Sequence, residues 1–195
     1  MDRPNSPTID LLFVFAAVYA VQEVGAVVGV GSVWFALTTP LVRPWTLVTT
    51  VYAHASLQHL VTNAVSLALV GFALERLTTR FRFHAFVLLT GSLAALAELL
   101  VAGVLGRTVA VLGASGAILA LFGYVLSGNR LVDGVFSRVR LGRRAKLVLV
   151  VAAAVVVTLA TAEQGVALVA HFSGFLMGLL AGRYRVLRVD RGRSR

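Results

Sequence analysis

Long apolar stretches, most of them near the roughly 17 to 25 residues a helix needs to cross a hydrocarbon core, divide this chain, and its cationic residues gather between them. Of its 195 residues 58% are hydrophobic and 13% charged, a balance that a soluble domain does not support. Lipid offers a peptide group no hydrogen-bond partner, so a spanning segment must be a helix or part of a closed barrel. The strict alternation of a barrel strand is missing. The sequence therefore predicts an all-α, polytopic membrane protein, a single domain over 1–195 with six transmembrane helices near 9–29, 57–75, 81–104, 113–127, 147–163 and 166–183.

The formal net charge of +10 would point to nucleic acid in a soluble protein. Here the basic residues lie between and after the apolar runs, so membrane topology explains them and no nucleic-acid partner is expected. With six spans both termini share a side. Of the 18 lysines and arginines, all but Arg43 and Arg107 then fall on that side, which the positive-inside bias makes the cytoplasm. The expected setting is the cell membrane of a prokaryote, with the bilayer as a partner and the basic tail 184–195 drawn to anionic headgroups. The first run, starting near Ile9, reads as a retained span and not as a signal peptide. The chain has no cysteine, and no carboxylate accompanies its histidines at a metal-ligand spacing, so neither a metal nor a cofactor is expected. The long, aromatic connection from Val30 to Ser56 is expected at the outer interface.

The fourth span is too short to cross alone. From Ser115 to Ser127 a helix covers about 20 Å of a core about 30 Å thick. The basic flank beginning at Arg130 holds its cytoplasmic end, which leaves Ser115 about 10 Å below the outer surface by the same arithmetic. The chain from Val109 to Gly113 must descend without helix, and irregular backbone at that depth needs protein or a wet cavity around it. In Gly113-Ala-Ser115-Gly116 the serine opens a helix whose free N–H groups face any oxyanion formed there. Taken alone, the tetrapeptide reads first as a small-residue packing face.

In the sixth span, His171 precedes Gly174, Gly178 and Gly182, which share one helix face and admit a close neighbour. If the fourth helix is that neighbour, the imidazole comes within reach of the Ser115 hydroxyl and can take its proton. At helical rise His171 lies about 8 Å below an outer end near Val166. An isolated intramembrane histidine serves proton relay or interhelical bonding as well. At the second span, Ser56 is a candidate N-cap, and His59 and Asn63 share a stripe able either to line an oxyanion site or to bond a neighbouring helix.

Three motifs in order, His54-x4-His59-x3-Asn63, Gly113-x-Ser115-Gly116 and His171-x2-Gly174-x3-Gly178, resemble the rhomboid family of intramembrane serine proteases. The resemblance implies a rhomboid-like six-helix bundle in which Ser115 is the nucleophile and His171 the general base, without an aspartate. It implies an oxyanion site from His59, Asn63 and the Ser115 N–H, with His54 organising the outer loop. The implied substrates are transmembrane-helix proteins, cleaved in or near the membrane. Two positions depart from the family pattern: Thr46 follows Trp45 where an arginine is frequent, and Leu119 stands where an aromatic often stacks on the histidine. An inactive relative that binds membrane helices is the alternative, which intact Ser115 and His171 oppose. Glu75 is expected to pair with Arg76 or a neighbouring helix end, Gln22, Glu23 and Glu98 to bond between helices, and His84 is given no role.

Overall fold

The computed structural model describes residues 6–128, 148, 151, 152, 154 and 167–189. Its helices are α1 (Pro7–Val27), α2 (Thr46–Thr49), α3 (Leu57–Leu74), α4 (Arg80–Val104), α5 (Ser115–Gly128) and α6 (Leu168–Arg183). Three segments, Pro7–Val27, Leu57–Leu77 and Arg80–Val104, are long and apolar enough to cross a membrane, and Ser115–Ser127 and Leu168–Arg183 are shorter apolar helices. The chain is thus a mostly helical, multi-pass membrane protein. The span expected near 147–163 and the basic link before it lie outside the described residues, apart from the isolated positions named above.

The long helices start where hydroxyl side chains can satisfy their open N–H groups. Ser6 accepts from the Ile9 N–H, Ser56 from that of His59, and Thr79 from that of Arg82. Their outward faces are apolar, as lipid requires: Phe13 is 72% exposed while Phe15, on the opposite face of the same helix, is fully buried. Phe15 joins Leu11, Leu67, Val70, Phe83, Val87 and Leu121 in the main core, which draws on α1, α3, α4 and α5.

α5 and α6 meet backbone to backbone. A Cβ added at Gly174 would collide with the Gly116 carbonyl, one at Gly178 with that of Ala120, and one at Gly182 with that of Tyr124. The glycines expected to admit a neighbouring helix do so, and α5 is that neighbour.

Irregular chain knits the α1–α3 connection to the α4–α5 connection. Leu37–Thr38 pairs antiparallel with Ala110–Val111, a two-residue ladder on each side. The Thr50 hydroxyl donates to the Val111 carbonyl, and the Gly113 N–H donates to the Thr50 carbonyl at 2.9 Å. The non-helical descent expected from Val109 to Gly113 is present, and its peptide groups are met by the connection before α3. The ladder is a β element that the all-α expectation did not contain.

Two polar clasps tie the N-terminal end of α1 to its neighbours. Glu75 accepts from the Ser6 hydroxyl at 2.6 Å and the Thr8 N–H at 3.3 Å, so it serves a neighbouring helix end. Asp10 takes Arg80 at 2.7 Å and His84 at 3.1 Å on one carboxylate oxygen, which gives His84 a partner. Beyond α6, Leu187 is buried and its N–H donates to the Tyr124 hydroxyl at 3.2 Å. The first part of the expected basic tail is therefore packed against the bundle.

Candidate active site

Ser115 is the first residue of α5, and His171 lies three residues into α6. α6 begins at Leu168, two residues after the expected boundary, so His171 stands within the first turn of its helix. His171 Nε2 is 2.9 Å from Ser115 Oγ, and the imidazole is buried. A neutral imidazole accepts the serine proton in this arrangement, the geometry a general base needs. The closeness follows from the glycines: Gly174, one turn below His171, lies against Gly116, the residue after the serine.

The second-span residues arrive from α3. Gly113 has φ +118°, and a Cβ there would sit 2.8 Å from His59 Nε2 and still nearer its Cε1. The chain before Ser115 thus runs directly under the His59 ring, in a backbone conformation that side chains rarely take. Asn63 is buried and donates one amide hydrogen to the His59 carbonyl at 3.0 Å. Its amide carries a second hydrogen. The Ser115 N–H, at a helix start, has no intrahelical acceptor. The His59 ring and the start of α5 are thus brought together, and Asn63 is tied to the His59 carbonyl one turn further along α3.

His54 is buried one shell further out. Its Nδ1 is 3.0 Å from the Tyr52 carbonyl, and its ring meets that of His59 edge-on at 5.3 Å and that of Phe15 at 5.0 Å. Burial, with the neighbouring His59, lowers the His54 imidazole to about 4. The ring is neutral at physiological pH, with Nδ1–H donating to Tyr52. Gln22 of α1 grips the same residue, its amide N–H donating to the His54 carbonyl at 3.2 Å and its amide oxygen accepting the His54 N–H at 3.0 Å. His54 supports the loop and the His59 ring, and Gln22 bonds between elements.

At the two departures the structure uses other contacts. Thr46 donates its hydroxyl to the Arg43 carbonyl, while the Arg43 guanidinium lies 4.7 Å over the Trp34 ring and Trp34 stacks with Trp45. An arginine before Trp45 thus anchors this loop. Leu119 packs with Ala154, Phe175 and Leu179. Among the described residues, no cluster of three or more histidines, aspartates or glutamates could hold a metal.

In the bundle, the serine at the start of α5 and the histidine in the first turn of α6 are bonded across a glycine-lined contact. The rhomboid domain model matches residues 41–188, and the chain belongs to the rhomboid family, which includes serine proteases and inactive members. α1 precedes the matched residues. No curated protein matches the chain in sequence.

Proposed function

We propose that this protein is an intramembrane serine endopeptidase that hydrolyses peptide bonds in or near transmembrane helices of client proteins. The observation that carries this reading is the 2.9 Å contact between Ser115 Oγ and His171 Nε2, part-buried at the start of two short helices. In the proposed reaction the Ser115 proton passes to His171 Nε2 as Oγ attacks the client carbonyl carbon. The carbonyl oxygen becomes an oxyanion, met by the Ser115 N–H and by donors from His59 and Asn63. The C–N bond then breaks, the leaving amine takes the proton from His171, and an ester to Ser115 remains. Water gives a proton to His171 as it attacks the ester, and His171 returns that proton to Ser115 Oγ as the client acid leaves, which restores the serine and the neutral base.

The protein would act in the cell membrane of a prokaryote with both termini in the cytoplasm, placing the site toward the outer face. Reconstitution with a panel of single-span clients tests the reading. The native chain is expected to cleave at least one client and to be labelled at Ser115 by an alkyl fluorophosphonate, while Ser115→Ala and His171→Ala do neither and remain folded. The double variant should be no worse than either single one, because groups that act as a unit are not additive. Turnover surviving in Ser115→Ala would remove the mechanism, and client binding without cleavage by the native chain would place it among the inactive members.

A further inference from the structure

α6 carries the candidate base, yet it lacks the device that starts the other long helices. α1, α3 and α4 each bring a hydroxyl side chain to their own N-cap. The N-cap of α6 is Ala167, which has no side chain able to accept a hydrogen bond. Its open donors are met from another helix: Glu98 Oε2 accepts the Val169 N–H at 2.8 Å and the Ala170 N–H at 3.0 Å. These are the second and third positions of α6, the ones a capping side chain serves. A carboxylate there also complements the positive end of the helix.

We propose that Glu98 is a positioning residue for the reaction, capping α6 from α4 so that His171 is held at the depth and rotation that meet Ser115. The proposal rests on the protease reading. Ala170 shows how the placement passes to the site. Its N–H is held by Glu98, its carbonyl lies 3.4 Å from where a Cβ on Gly116 would be, and the next residue is His171. α4 touches the nucleophile's helix as well, since Ala94, one turn before Glu98, lies 2.8 Å from that same Gly116 position. One face of α4 therefore gauges both partners of the dyad. Helix starts fray unless capped, and a shift at the first turn of α6 displaces the imidazole directly. Glu98 also borders a cavity of about 520 Å³ with Arg107, Val111 and Leu168, so only part of its environment is packed and the two hydrogen bonds carry the restraint.

The test uses the full chain in lipid vesicles with Glu98→Leu, Glu98→Asp and Glu98→Gln. Glutamine keeps an acceptor at the same reach, aspartate is one methylene short, and leucine has none. Leucine and aspartate should speed amide exchange at Val169 and Ala170, and should lower both kcat for a single-span client and the rate of fluorophosphonate labelling by about tenfold or more. KM should stay within about twofold, as expected when catalytic geometry and not client binding is lost. Glutamine should restore amide protection and most of the labelling rate. If leucine does not fold, the aspartate and glutamine pair decides the matter. Native exchange and native kcat in Glu98→Leu or Glu98→Asp would overturn the proposal. So would a loss confined to KM, which makes Glu98 a client contact, or a glutamine variant that is protected yet as slow as aspartate, which makes charge the agent. Should the native chain neither label nor cleave, the protease reading fails, whereas amide exchange and the imidazole nitrogen resonances of His171 in the variants still decide the positioning.

Discussion

The contact between α5 and α6 and the contact between α1 and α3 join apolar helices in opposite ways. Along α5 and α6, carbonyls of one helix lie where glycines of the other leave room: Gly116, Ala120 and Tyr124 oppose Gly174, Gly178 and Gly182, and Gly123 opposes the Phe175 carbonyl. Along α1 and α3, side chains fill the space, with Leu11, Phe15, Leu67, Val70 and Leu74 in one core. Polar clasps close that pair, Glu75 with Ser6 at one end and Gln22 with His54 toward the other. Side chains have rotamers and can yield, whereas touching backbones have no lower-volume arrangement to adopt. The stiffer contact holds the 2.9 Å bond between Ser115 and His171. A base must stay within hydrogen-bond reach of its proton donor, about 2.6 to 3.2 Å, so the rigid interface is where that bond can be kept.

The largest test of this contrast is Gly178→Leu. It drives a side chain into the Ala120 carbonyl, and overpacking of this kind costs about 1 to 3 kcal/mol or more where nothing can move. The variant should give little folded protein in detergent, measured by thermal melting. Leu67→Val in the yielding interface should cost about 1 kcal/mol. Equal melting points for the two would erase the contrast.

Gly113→Ala should strike the site and the fold together. It combines a backbone at φ +118° with a clash against His59. The added methyl should lower cleavage about 10²-fold, since small displacements near the reacting atoms have that effect, and the strained backbone should cost about 1 to 3 kcal/mol in melting. Activity within twofold of native would show that the His59 ring has room to withdraw.

Gln22→Leu opens the clasp that holds His54. Both His54 backbone groups lose their partner while buried, at about 1 to 3 kcal/mol, so melting should fall while the folded fraction keeps most of its activity. A large loss of turnover at unchanged stability would instead place α1 within the reaction. Arg43→Ala should have the smallest effect. Removing a cation from an exposed tryptophan face is worth about 0.5 to 1 kcal/mol, and the loop keeps its ladder to Ala110 and Val111. A larger fall in melting would mean that the Trp34 and Trp45 stack depends on that guanidinium.

Local pattern made much of this molecule legible. Ser56, His59 and Asn63 are legible at the opening of α3 because a cap and a four-residue spacing are properties of one helix. The faces of Gly174 and Gly178 followed in the same way, and the short fourth helix required an irregular descent before Ser115. The contacts that escaped join segments far apart in sequence. Glu98 reads as one acid in an apolar run, and nothing near it reveals that Ala167 leaves two N–H groups of α6 to be met. Asp10 with Arg80 and His84 is another such pair, and the ladder between Leu37–Thr38 and Ala110–Val111 is too short to leave a period. Leu187 looked like part of a basic tail because its neighbours are arginines, and only the bundle supplies the Tyr124 hydroxyl that receives it.

Composition, run length and helical periodicity by themselves determined that this chain enters a membrane as helices, because the bilayer removes every alternative for an unpaired peptide group. They also determined which faces could meet closely, because a glycine's missing side chain is a fact of sequence. Which helix meets which, and at what height, was decided only in the tertiary structure. Periodicity fixes a residue's angle around its own axis but not the rotation or translation of one helix against the next. Those are set by long-range contacts such as Ala94 against Gly116 and Glu98 against the start of α6, and through them the Ser115 hydroxyl comes to His171.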